Sequence, residues 1–106
     1  MNRRGKVFFK NQYAGLIEET DEGYQFVYDP GYRTAPGATS ISVTLLIRTE
    51  PFESKTLFPF FDGLIPEGWL LDIAAHNWKI DSRDRMGLLL AVCKDCIGAV
   101  SVEAVQ

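Results

Sequence analysis

The sequence is poor in the residues that most site chemistry requires. It has one histidine, His76, and two cysteines, Cys93 and Cys96. A structural zinc site needs four ligands, and Cys93-Lys-Asp-Cys96 supplies half a set, with His76 in a different expected helix. The same spacing suits a redox pair, but two small half-buried thiols in a reducing compartment account for it without any chemistry. A Ser-His-Asp or Cys-His site would have to use His76, which sits between Ala75 and Asn77 with no motif around it. No glycine-rich phosphate cradle occurs. Residues 30–39 contain two Pro-Gly dipeptides but neither a Gly-x-x-x-x-Gly-Lys pattern nor a following helical pattern, and read as a surface loop. No apolar run is long enough for a membrane span or a signal peptide, so a cytoplasmic location is expected. Eleven basic against fourteen acidic residues give a net charge of −3. The basic residues are scattered, which argues against direct nucleic-acid binding, since phosphates call for a clustered basic face.

What the chain does have is a stiff, aromatic stretch from Phe58 to Trp69. Pro59 should open a short helix, and Pro66 should end it and begin another, because proline lacks an N–H and restricts the residue before it. Phe58, Phe60, Phe61, Leu64 and Ile65 are expected in the core. In a helix over 67–78, Leu70, Ile73, Ala74 and Asn77 share one face, with Trp69 and Leu71 flanking it on opposite sides. Trp69 thus lies at the margin of the buried stripe, and Gly68 beside it has no side chain to cover the ring. Two fates are open for Trp69: folded back over Phe58 or Phe61, or exposed for a partner. Asp62 and Glu67, five residues apart, could form an acid/base pair, but helix capping and dipole interactions explain them better. The candidate partner-binding set is Trp69, Asp62, Glu67, Leu70 and Gly68. No catalytic, metal or cofactor residue is expected.

Around this stretch, residues 7–9 and 13–19 read as strands joined by a turn at Asn11-Gln12. Tyr24, Phe26 and Tyr28 form the inner face of a third strand. Residues 40–48 alternate most strictly and read as the clearest strand of all. Asp81 or Ser82 should cap a later helix with Asp84 favourable near its positive end, followed by an inward stripe of Met86, Leu89, Leu90 and Cys93. A last strand over 98–102 returns to the sheet. The expectation is a single α+β domain over 1–106, an antiparallel sheet of about five strands with two or three helices packed on one face.

Phe60-Phe61-Asp62-Gly63-Leu64-Ile65-Pro66-Glu67-Gly68, then Met86-Gly87-Leu88-Leu89-Leu90-Ala91 and Lys94-Asp95-Cys96-Ile97-Gly98-Ala99-Val100, together resemble the N-terminal subdomain of HipA-type serine/threonine kinase toxins. The resemblance covers essentially the whole chain. Residues 40–48 resemble a strand of that family, with Leu46 where proline is usual, and Cys93 stands where the family has glycine. The family's kinase core, with its ATP loop and catalytic Asp, has no counterpart before Gln106. The chain is therefore similar to the stand-alone, HipS-like small subunit of split HipBST toxin–antitoxin modules. That resemblance implies an antitoxin that binds and neutralises a separate HipA-like kinase toxin, with a third, DNA-binding subunit reached through the complex. It transfers no catalytic residue. Alternatives are a non-inhibitory subunit that completes or activates the kinase, and a small thiol or metal protein using Cys93, Cys96 and His76.

Overall fold

The computed structural model describes residues 3–65, 76–77, 79–81, 83–93 and 99–105. Its centre is a five-stranded antiparallel sheet built from β1 (Arg4–Phe9), β2 (Gln12–Thr20), β3 (Gly23–Tyr28), β4 (Phe52–Ser54) and β5 (Val100–Ala104), in the order β4-β3-β2-β1-β5. The first three strands form a meander. Lys10 and Asn11 turn β1 into β2 with φ of 50° and 68°. Two left-handed residues match the right-handed twist of the flanking strands, so Phe9 pairs with Gln12 and the turn lies one residue before Asn11-Gln12. Gly23, at φ 149°, turns β2 into β3, and a side chain there would strike the Ser54 carbonyl.

Alternation along these strands sends Val7, Ile17, Phe26, Tyr28, Val100 and Val102 to one buried face. The helices cover that face. They are α1 (Pro30–Arg33), α2 (Pro59–Asp62) and α3 (Arg85–Val92) among the described residues. Phe61 of α2 packs on Phe26, with ring centroids 5.5 Å apart. Leu90 of α3 and Val102 of β5 crowd Gly5 of β1 so closely that a Cβ there would approach each within 2.7 Å. The helix-to-sheet approach therefore depends on glycine at that position.

Three further expectations are corrected. Residues 40–48 do not form a strand; they make a compact turn whose one ladder contact is an isolated bridge between Ser42 and Leu45. The strand that completes the sheet at this edge is β4, pairing Phe26 with Phe52. β3 thus has β2 on one side and β4 on the other. The loop over 30–39 opens with a helical turn, α1, because Asp29 caps it by accepting from Tyr32 N–H and Pro30 presets its first φ. The third helix is capped by Asp84, which accepts from Gly87 N–H at 3.1 Å, while Asp81 accepts from Arg83 N–H in the turn before it. That shift places Leu88 in the core with Met86, Leu89 and Cys93, and leaves Leu90 partly buried against it. The expected helix over 67–78 lies almost wholly outside the described residues.

Candidate functional site

The aromatic stretch is fixed from both sides. Proline at the first position of α2 leaves no orphan N–H there, and the backbone closes Asp62 N–H to Phe58 C=O and Gly63 N–H to Pro59 C=O, both at 2.9 Å. Two further turn bonds, Leu64 to Phe61 at 3.0 Å and Ile65 to Asp62 at 3.2 Å, carry the chain on to buried Ile65. Phe61 is wholly buried beneath a cluster in which its ring centroid lies 5.2 Å from that of Phe60 and 6.1 Å from that of Phe58. As expected, Phe58, Phe61 and Ile65 are core, with Phe60 and Leu64 packed partly buried against it.

α3 then braces this turn at two points. Near its start, Arg85 Nε donates to Asp62 Oδ1 at 2.5 Å, and near its end the Cys93 thiol donates to the Leu64 carbonyl at 3.5 Å. Asp62 is thus an ion-pair partner that ties two elements together rather than a cap; the side chain at the head of α2 makes no capping bond. The Asp62 side chain is still 42% exposed. It borders an open groove with Tyr24, Lys55, Thr56, Pro59 and Arg85, where a partner can reach it. Of the candidate set, Asp62 is placed at the end of α2, within the turn that runs on to Ile65. Glu67, Gly68, Trp69 and Leu70 lie outside the described residues, as does Cys96.

α3 is itself held by Arg3. The guanidinium donates to both oxygens of Glu19 and both oxygens of Asp84, each at 2.9 Å. These bonds from Arg3 hold the Glu19 and Asp84 carboxyls below the ordinary carboxylate range, and the two carboxylates push Arg3 further above its usual value. The clamp joins the residue just before β1 to β2 and to the cap of α3. Sequence reasoning missed Arg3 and Arg85, because their partners lie 16, 81 and 23 residues away and no local pattern marks such pairs. The one signal was Asp84 itself, recognisable as a helix-start residue.

Among the described residues no three His, Cys, Asp or Glu side chains come together as a metal site. His76 is exposed, and Cys93 is buried at the end of α3. No described helix is long and apolar enough to cross a membrane. What the arrangement offers is a rigid, polar-rimmed turn leading into a tryptophan-bearing segment.

The comparisons with known proteins agree with this architecture. The family model for the HipA N-terminal domain matches residues 5–103. An uncharacterised protein of Haemophilus influenzae is 39% identical over 101 residues, covering 95% of this chain and 92% of that protein. The solved structure of the N-terminal domain of HipA toxin superposes with a TM-score of 0.74 at 32% identity, covering 98% of this chain and 93% of that one. A small α+β domain with a five-stranded antiparallel sheet covered on one face by helices is the class of protein that the fold defines. The chain belongs to the HipA N-terminal domain family.

Proposed function

We propose that this protein is a HipS-like antitoxin, which binds a separate HipA-like serine/threonine kinase toxin and neutralises it. Family membership across residues 5–103 is the observation that carries the reading. In HipA-type proteins this domain accompanies a kinase core, and a surface made to pack beside a kinase is a ready inhibitor when supplied by another chain. The Haemophilus influenzae relative is covered over 92% of its own length, so that protein is itself little larger than this domain. On this reading the domain is not an enzyme and acts in the cytoplasm, and it meets DNA only through a third subunit of the complex.

The inhibitory contact is assigned to Trp69, with Gly68, Leu70, Glu67 and Asp62 beside it. The turn ending at Ile65 is held by Phe61 in the core and by Arg85 and Cys93 of α3, so the segment that follows begins from a fixed point. Preorganisation of this kind spares a partner the ordering cost of binding. A large aromatic side chain beside a glycine suits a pocket in the partner. The test is co-expression with a HipA-like kinase chain. The parent protein restores growth, and Trp69→Ala stays folded by circular dichroism yet fails to protect. Increased toxicity on co-expression would identify an activating subunit instead.

A further inference from the structure

Arg3 lies just before β1, and its guanidinium is engaged on two sides. Nε and Nη2 donate to Glu19 of β2, and Nη1 and Nη2 donate to Asp84, all at 2.9 Å. A planar fork that meets two carboxylates at once fixes direction as well as distance, which a point charge does not. The backbone holds Asp84 in turn. Its carboxylate accepts from Gly87 N–H at 3.1 Å, its N–H donates to the Asp81 carbonyl at 2.9 Å, and its carbonyl accepts from Leu88 N–H at 3.0 Å. Gly87 makes room for both arrangements: a Cβ there would strike the Asp84 carboxylate and stand 3.1 Å from Arg3 Nη1. Helix propensity favours alanine over glycine, so the clamp, not the helix, accounts for this residue.

One residue beyond Asp84, α3 makes its own contact with the candidate site. Arg85 Nε donates to Asp62 Oδ1 at 2.5 Å, and Nη2 to the Asp62 carbonyl at 3.4 Å, so side chain and backbone at the end of α2 are tied to the first residue of α3. At the far end of α3 the Cys93 thiol meets the Leu64 carbonyl. A hydrogen-bonded helix moves as a unit, so what fixes its first turn bears on both contacts. Tyr24 shows how near the two ion pairs lie: it pairs with Glu19 across β2 and β3, and it lines the groove that Asp62 and Arg85 border.

We infer that Arg3 is a positioning residue for the α2 turn: it sets α3 against the sheet, and α3 sets the Asp62 carboxylate and the Leu64 carbonyl. Hydrogen exchange of the purified protein tests this at the amides of residues 62–65, which close the turn. Arg3→Met should quicken them about tenfold or more while the amides shared by β2 and β3 keep parent rates. Asp62→Asn cuts the Arg85 contact directly and should give the same local pattern. Together the two changes should quicken exchange by less than the product of their separate effects, because they break one path. Gly87→Ala should lower the melting temperature of the parent, against its helix propensity, and raise that of Arg3→Met, in which the Asp84 carboxylate is free to move aside. Parent rates at 62–65 in a folded Arg3→Met variant overturn the inference. So does quickening spread evenly over β2, β3 and the turn, which would make Arg3 a general support of the fold, and so does a full product in the double variant or a parent stabilised by Gly87→Ala. If Arg3→Met does not fold, Arg3→Lys takes its place, keeping one cation without the fork, and is read by the same outcomes. No kinase enters the measurement, so its result is independent of the function proposed above.

Discussion

Residues 24–28 and 40–48 carry the same alternating pattern, and the second carries it more strictly, yet only the first is a strand. The difference lies in who takes the backbone. Residues 24–28 pair with β2 along their whole length and with β4 over 24–26. Residues 41 and 45 are instead bonded by one phenolic hydroxyl, that of Tyr28, and the chain closes into a turn with Ile41 and Leu45 inward and Val43 and Leu46 outward. Alternation reports a two-sided environment. Whether that environment is a sheet or an anchored turn depends on a neighbour that a local window does not contain.

Experiments can break each side of this comparison. The largest effect is expected on the strand side: Phe26→Ala removes the ring that meets Tyr28, Phe52 and Phe61, and should cost about 3–5 kcal/mol in chemical denaturation. A loss under about 1 kcal/mol would show that the helical face is not packed on β3 as described. Next is Tyr28→Phe. It keeps the ring and the sheet register but leaves Ile41 N–H and the Leu45 carbonyl buried without their partner, for a loss of about 2–3 kcal/mol. Hydrogen exchange should quicken at residues 41–47 and stay slow in β2 and β3; uniform quickening would contradict a separately anchored turn.

A smaller effect concerns the Arg3 clamp, where all three side chains are partly open to solvent and the gain is discounted accordingly. Asp84→Ala, which also removes the helix cap, should cost about 1–2 kcal/mol. The carboxyls of Glu19 and Asp84 are depressed in the folded state, so their contribution is complete above the unfolded carboxylate range and is lost as the pH falls through and below it. The melting temperature should therefore drop between about pH 6 and pH 3, and the drop should be shallower in Arg3→Met. An identical pH profile in that variant would remove the clamp from the account.

The parts of the fold that could be read from the sequence are those set by neighbours in the chain. Phe26 and Tyr28 declared their face by alternation, Pro59 opened its helix, and Phe58, Phe61 and Ile65 went to the core. The misreadings share a cause. The Asn11-Gln12 turn moved by one residue because register between β1 and β2 selected Lys10 and Asn11 for the left-handed positions. The cap moved from residues 81–82 to Asp84 because Arg3, far away in sequence, holds that carboxylate in place. For the site, Asp62 was singled out for its position at the kink, but its bond to Arg85 crosses two elements and leaves no local trace.

On the proposed function, this domain binds and silences a separate kinase chain. The most direct test is titration of a purified, active HipA-like kinase with this protein while phosphotransfer is followed. The account predicts that activity falls to background near equimolar addition, that Trp69→Ala leaves it high, and that the small protein alone neither binds ATP nor transfers phosphate. Undiminished or increased kinase activity at saturating protein would contradict it.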